Sequence, residues 1–586
     1  GALSGAAPVV HAPSPPSGHL DAEASYRTFP ELRRLVVALA GVTPAPKLFV
    51  VTRNAQPIAD GDRANPAHAV LWGQGRTLAL EHPEFWGAVI DVDDTVPPEL
   101  LVRYLHAEAH LTVTADPTQR DDQAVYRSGV RRVPRLEPRP LPAVPLTRLE
   151  SGTSHLVIGA TGNVGPYVIR QLAEMGASTV VAVSRRGGSQ LSELAAELQA
   201  AGTTLVEVAA DAADEASMSA VFERFGHDLP PLEGVYLASL AGGEALLADM
   251  TEDDLNPMFR SKIDTASVLH RLTLKTPVRR FVLFSSITGL LGSRAVAHYT
   301  AANAFADSFA YARRALGLPA TVVDWGLWKS WADAQPQMKA AGLEPMPNDV
   351  AIKMLPAVLG PDAAVQYVVA GADWPRLADA YRMRAAVKVL DHLVAAPGDD
   401  AADLDSLPAP AWGTVLGEPV TGTAHDHLWR ARLLPGVRPY PVAHRVRGVE
   451  VVPVSVLLQT LSAAAAQLDG SSVVADVRFE YPIVADQPRA IHVTADGDAL
   501  TVWSSSGPDT PEQRWTRHAG ATVAAAPGTT PQGNQSPGPQ RFDSSSIAVL
   551  QRGWGVEGQP FEWTVTDCAA TTAGVRGDVE VPGTRH

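Results

Sequence analysis

The stretch SHLVIGATGNVGPYVIRQLAEMGA, residues 154–177, decides the fold. An apolar run over 155–158 breaks at Gly159, Gly162 and Gly165 and passes into a helical pattern. A strand, a glycine turn and a helix in that order open a dinucleotide-binding βαβ unit. Glycine lets the backbone approach a pyrophosphate, whose charge then sits at the helix N-terminus. Three glycines alone also make a tight structural turn; the flanking strand and helix favour the binding reading, and Thr161, Asn163 and Val164 are read with the loop.

The next strand ends in TVVAVSRRGG. An NAD site places an acid there for the ribose hydroxyls, whereas this chain has Ser184, Arg185 and Arg186, which suit a 2′-phosphate. The cofactor expected is NADPH. Asp211, in VEVAADAAD, ends the third strand, and either an adenine contact or a helix cap accounts for it.

Apolar runs continue the alternation at TLVEVAA, GVYLAS, RFVLFSS and ATVVDWG, with helical stretches between them. Upstream, KLFVVT and GAVIDV alternate with helical runs such as PELRRLVVALAG. The fold class expected is an α/β pair of Rossmann-like lobes. Downstream, AIHVTADGDALTVWSSS and WTVTDCAATTAGVRGDVEV read as short strands around one helix after residue 453, an α+β segment.

With 586 residues the chain is too long for one core, and its net charge of -15 argues against a nucleic-acid or anionic-membrane surface. Cys568 is the only cysteine, which excludes an internal disulfide framework and a cysteine-rich zinc site and fits a cytoplasmic location; no metal is expected. The N-terminus lacks a signal-peptide pattern and an initiator methionine, so the chain reads as a piece of something larger. The apolar run from 449 is interrupted by Pro453, Ser455, Gln459 and Thr460, and reads as a strand turning into a buried helix, not a membrane span. Proline- and glycine-rich stretches near 135–152, 395–413 and 524–540 are the expected linkers.

The segment SRAVAHYTAANAFADSF, residues 293–309, carries Tyr299 with Asn303 where a short-chain reductase usually has its lysine. A lysine occurs upstream in FRSKIDTASVLHRL, at Lys262, and a serine ends the strand FVLFSSITG, at Ser286. With these, residues of about 20–385 resemble a ketoreductase domain of a modular polyketide synthase, a family in which the lysine and asparagine positions are exchanged. The resemblance implies Tyr299 as acid, Ser286 as second hydroxyl donor, Lys262 as the cation favouring proton transfer, and Asn303 as positioner or water-relay anchor. It also implies NADPH as cofactor and, as partners, an acyl carrier protein bearing a phosphopantetheine-bound β-ketoacyl thioester and the other synthase domains.

ALEHPEFWGAVIDVD, LPATVVDWGLW and VAGADWPRLADAY agree with the family. In the first lobe LWGQGRTLAL reads as a loop that lacks a third glycine, and the catalytic set is missing too, so that lobe is expected to be the non-catalytic structural half. Residues 327–346 are read as a lid over the substrate or, equally, as a plain surface helix. Where many members have Leu-Asp-Asp this chain has Gly242, Gly243 and Glu244, and where others have a tryptophan before the tyrosine it has Leu291. Product stereochemistry therefore stays unassigned.

WRARLLPGVRPYPVAHRVRGVEVVPVSVLLQTL resembles the first hot-dog half of a polyketide dehydratase, with His444, Gly448 and Pro453 at its signature positions. RWTRHAGATVA matches the end of that half. In that family the histidine removes the α-proton and an aspartic acid from the second hot-dog protonates the leaving hydroxyl. Here a second half begins, no Leu-Leu-Asp segment follows, and the acid is expected beyond His586. A reductase ahead of a dehydratase resembles iterative synthases or a rearranged junction.

The domains expected are 1–148, a structural ketoreductase lobe; 149–390, its catalytic lobe; 391–412, a linker; 413–525, a first hot-dog; and 541–586, the start of an incomplete second. The rival functional reading is a non-catalytic structural or docking segment of a megasynthase. A sugar-nucleotide epimerase-like enzyme fits less well, because the lysine is displaced and a hot-dog follows.

Overall fold

The structure, a computed structural model, describes residues 7–14, 20, 22–114, 120–139, 147–185, 191–360, 363–385, 388–394, 407–420, 425–446, 448–468, 472–505, 515–525, 556–557, 564–571 and 574–580. Two compact units divide at Leu393 and Val394.

The first unit holds two parallel sheets. The N-terminal lobe has a five-stranded sheet in the order β1 (Val9–His11), β2 (Leu48–Arg53), β3 (Trp86–Val92), β4 (Gln123–Arg127), β5 (Val130–Arg132), with only β4–β5 antiparallel. Helices α1 (Ala22–Leu39), α2 (Pro66–Glu81) and α3 (Pro98–Thr114) connect its strands. α1 starts earlier than the run from Pro30 indicated, and Pro30 lies inside it.

The second lobe is built on β6 (Ser154–Ile158), β7 (Thr179–Ser184), β8 (Thr204–Ala209), β9 (Leu232–Leu237), β10 (Arg280–Ser286), β11 (Thr321–Trp325) and β13 (Gln366–Val369). They pair in parallel in the order β13-β11-β10-β9-β6-β7-β8. A short ribbon of β12 (Leu343–Glu344) and β14 (Gly371–Ala372) stands beside it. The order reverses between β6 and β9, and such a switch opens a crevice at the carboxyl ends of the strands. Its helices include α4 (Gly165–Glu174), α5 (Ser192–Ala200), α6 (Glu215–Phe222), α7 (Glu252–Phe259), α8 (Thr265–Lys275), α9 (Thr288–Leu291), α10 (Ala297–Ala315) and α11 (Pro336–Ala341).

The two lobes meet along α2 and α10, both buried on nearly every side. This corrects the reading of LWGQGRTLAL: Gly73 and Gly75 are interior residues of α2, not a cofactor turn. A Cβ at Gly73 would fall 2.2 Å from the carbonyl oxygen of Thr300, and one at Gly75 would fall 2.8 Å from the Trp86 ring. The glycines serve close packing, at the helix-propensity cost of about 1 kcal/mol each.

The second unit contains a six-stranded antiparallel sheet, in the order β15 (Glu418–Val420), β16 (His427–Leu433), β20 (Arg489–Asp496), β21 (Ala499–Ser505), β22 (Thr516–Ala525), β19 (Ser472–Phe479). The helix Val454–Leu468 buries Val456, Leu457, Leu461 and Ala464 against Trp429, Ile491, Val493 and Val502 of that sheet. A sheet packed on one central helix is the hot-dog arrangement. β17 (Arg445–Val446) pairs with β18 (Val449–Glu450) and with β23 (Val556–Glu557), and β24 (Thr564–Thr571) pairs with β25 (Gly574–Glu580). Among the described residues no helix is long and apolar enough to cross a membrane.

Candidate active site

At the carboxyl ends of β6, β7 and β9 the chain forms a cavity of about 770 Å³. Its floor is the glycine turn. Gly159 sits at φ +82°, and a Cβ there would lie 2.8 Å from Ala238 O. At Gly165 a Cβ would lie 2.3 Å from Ala160 O, whereas at Gly162 it meets only Gly159 O, at 3.2 Å. The outer glycines are thus required by the turn, and the middle one leaves backbone open to the cavity at the start of α4. Gly159, Thr161, Gly162, Asn163 and Val164 line the cavity, and Gly165 begins α4 behind them. This cradle fits a dinucleotide pyrophosphate.

Ser184 and Arg185 line the far end of the cavity with Asp211, whereas Arg186 lies outside the described residues. Asp211 is not the helix cap: Asp214 caps α6 by accepting from the Ser217 amide. Asp211 instead accepts from Arg260 at 2.7 Å and from the Ala213 amide at 3.0 Å. Arg260 carries no motif of its own in the sequence, although it stands two residues before Lys262. The bond from Arg260 holds the Asp211 carboxyl below its usual range.

Lys262 reaches the cavity from an unusual backbone. Residues Arg260–Asp264 form a π-helical turn between α7 and α8, closed by the Thr265 amide on Arg260 O. Such bulges re-aim side chains and recur at functional sites. The ammonium donates to Phe284 O at 2.8 Å and lies 5.6 Å from the centre of the Tyr299 ring. Burial lowers the Lys262 pKa to about 8, against the pull of Asp307 and Asp324.

Ser286 ends β10, and its Oγ accepts from the Thr288 amide at 3.3 Å and from the Thr288 hydroxyl at 3.1 Å. Those bonds leave the serine's own hydrogen for Tyr299 or a ligand. Tyr299, in the first turns of α10, is half-buried and lines the cavity. Burial raises its pKa, and Ser286 and Asn303 oppose the rise. Asn303 lies one turn further along α10, fully buried, with Tyr299 as a hydrogen-bonding neighbour. The structure therefore brings Lys262, Ser286, Tyr299 and Asn303 together around one end of the cavity.

The roof comes from segment 327–346, for which a lid and a plain surface helix are equal expectations from the sequence. Trp331, Gln335, Met338 and Leu343 line the cavity from above, and Gln335 donates to Glu244 at 3.1 Å. Gly242, Gly243 and Glu244, where the family's acidic marker is missing, form the adjoining wall.

In the second unit His444 lies just before β17, with its carbonyl accepting from the Val451 amide at 2.9 Å. Gly448 takes φ +84° in the β17–β18 connection, and Pro453 directly precedes the helix Val454–Leu468. The side chains of the β24 and β25 residues Asp567 and Asp578 lie outside the described ones. Among the described residues no group of histidine, cysteine and acidic side chains could hold a metal.

Three families match the chain. Residues 2–136 match a polyketide synthase extender module SpnB Rossmann fold domain, 153–330 a KR domain, and 414–505 a polyketide synthase dehydratase domain. A phenolphthiocerol/phthiocerol polyketide synthase of Mycobacterium bovis is 52% identical over 493 residues, covering 82% of this chain and 32% of the relative. Erythronolide synthase EryA3 of Saccharopolyspora erythraea is 36% identical over 330 residues, 55% of this chain and 10% of its own. The chain thus spans about a third of the length of its mycobacterial relative. Among solved structures, an A-type ketoreductase from a modular polyketide synthase aligns with TM-score 0.56 and 32% identity, over 62% of this chain and 77% of that one. The first ketoreductase of the tylosin synthase aligns with TM-score 0.55 and 30% identity, over 62% and 78%.

Proposed function

Since the chain belongs to the polyketide synthases, as a ketoreductase domain followed by the N-terminal part of a dehydratase domain, we propose that it reduces the β-keto group of a carrier-protein-bound thioester with NADPH. The observation that carries this reading is the meeting of Lys262, Ser286 and Tyr299 at one end of a dinucleotide cradle. The boundaries that go with it are 1–148 and 149–390 for the two reductase lobes, 391–412 for a linker, and 413–525 and 541–586 for the dehydratase-type segments.

Bound in the cradle, NADPH supplies the hydride. Arg185, with Arg186 beside it in sequence, selects the 2′-phosphate by charge-assisted bonds. Ser286 and Tyr299 hold the ketone oxygen through their hydroxyls, so that charge developing on it meets donors already in place. Tyr299 then gives its proton to that oxygen, and the Lys262 ammonium near its ring favours the phenolate left behind. Asn303 steadies the tyrosine one helical turn below it. The roof of Trp331 and Met338 excludes water from the reacting end. For the second unit, His444 is the base half of a dehydratase site whose acid comes from outside the described residues.

The test is NADPH oxidation by the purified chain with a β-ketoacyl thioester mimic, with products resolved by chiral chromatography. Formation of β-hydroxy thioester supports the reading. No turnover together with absent NADPH binding would favour a non-catalytic structural segment of the synthase.

A further inference from the structure

Below Tyr299, helix α10 carries a polar stripe of Tyr299, Asn303 and Asp307. Residues four apart stack on one helix face, so the stripe runs from the cavity into the core. Asp307, 7% exposed, points its carboxyl into the core, where its hydrogen-bonding neighbours are Ser285 and Asp324. Asp324 is fully buried on β11, directly across from Ser285 of β10. Its Oδ2 accepts from Gln366 at 2.7 Å, and Ser285 and Asp307 are its other hydrogen-bonding neighbours. Ser285 lies between Phe284, whose carbonyl holds Lys262, and Ser286, and its hydroxyl contacts Asn303 O at 3.5 Å. Two buried carboxyls therefore meet behind the residues that reach the ligand.

Burial raises both acids above the usual carboxylate range, Asp324 to about 6, and the neighbouring Asp324 charge raises Asp307 further. Groups this close release their protons as one unit, and the unit keeps a proton where isolated carboxylates would be bare. Lys262 faces the pair from the π turn, Tyr299 and Tyr311 from α10, and Arg76 from α2 of the other lobe. Arg76 is anchored to Gln123 Oε1 at 2.8 Å and to Gly289 O at 2.5 Å, with Asp122 behind it.

We propose that Asp307 and Asp324 are positioning residues for the reduction, a one-proton pair whose single negative charge keeps Lys262 cationic beside Tyr299. The proposal rests on the role given to Lys262 above. It explains why the strand TVVDW carries a buried acid between Val323 and Trp325. The pair acts through Lys262 and touches no substrate.

The experiment measures kcat/KM against pH for the unmodified chain, Asp307→Asn, Asp324→Asn and the double variant, with NADPH affinity followed by fluorescence. In parallel, the chain labelled with ¹³C-lysine is titrated by NMR, and the Lys262 signal is assigned by its loss in Lys262→Met. Asparagine reproduces a protonated carboxyl, so each single variant keeps one negative charge and its alkaline limb stays in place. The double variant loses that charge, and its limb and its Lys262 titration both move down by about one pH unit or more, with NADPH affinity unchanged. An unmoved limb and titration in the double variant, or an equal loss of activity at every pH, would overturn the proposal. If the double variant does not fold, the singles decide: a limb that falls a full unit on one amide substitution, or activity lost at every pH, overturns the shared charge. Failure of the unmodified chain to turn over would count against the reductase reading alone, because the NMR titration tests the pair without turnover.

Discussion

The Thr300 hydroxyl, on the residue next to Tyr299, donates to the carbonyl of Gly73 in the first lobe at 2.9 Å. It also lies 2.9 Å from the hydroxyl of Thr77, one turn further along α2. The lobe without a cofactor turn is therefore the surface against which the catalytic helix is set. Gly73→Ala inserts a Cβ 2.2 Å from Thr300 O and 2.6 Å from the Ala301 amide, so α10 must shift. Overpacking of this kind costs about 1–3 kcal/mol. Thermal unfolding should show a lower Tm, and kcat should fall more than NADPH affinity.

Tyr299→Phe should lower reductase turnover by ~10²–10⁴-fold, the range of a general acid. NADPH affinity, measured by fluorescence, should stay near that of the unmodified chain, because the phenol stands apart from the phosphate cradle. Undiminished turnover would mean that another group donates the proton.

The pH dependence has a fixed sign. In the proposed reduction Lys262 works as a cation, and with its pKa lowered to about 8 it is charged below that pH and neutral above it. The Tyr299 pKa is raised, so the phenol keeps its proton while the lysine titrates. kcat/KM should therefore fall as pH rises through about 8. Lys262→Met should be severely slowed and lack that limb.

Arg185→Ala should raise the KM for NADPH by about tenfold or more with kcat little changed, because charge-assisted bonds at the remote end of the cofactor bind ground and transition states alike. Rates with NADH should hardly respond. Equal use of both cofactors by the unmodified chain would remove the basis for a 2′-phosphate site.

Dehydration of a 3-hydroxyacyl thioester should not be detectable by mass for this chain. Near His444 in sequence, Glu450 is held by Arg438; elsewhere in the unit Asp496 pairs with His425 and Glu480 with Arg517. These carboxylates are already engaged with cationic side chains. Enoyl product that vanishes in His444→Ala would show that an acid is supplied after all.

The linear sequence was sufficient for the cofactor sheet, because strand, glycine turn and helix are local patterns whose backbone demands fall on adjacent residues, as at Gly159 and Gly165. By resemblance it also named Tyr299, Asn303, Ser286 and Lys262. It misled at Gly73 and Gly75, where glycine answers to a neighbouring helix and not to a turn. Asp307 was visible as a polar residue in step with Tyr299 and Asn303, and Asp324 as an acid within an apolar strand. Neither pattern names its partner. The meeting of Asp307, Asp324 and Arg76 with Lys262 needs α10, β11, α2 and the π turn folded against one another. Only the tertiary structure decides it, because the energies of buried charges depend on distance and on exclusion of water, and neither is encoded in any one segment.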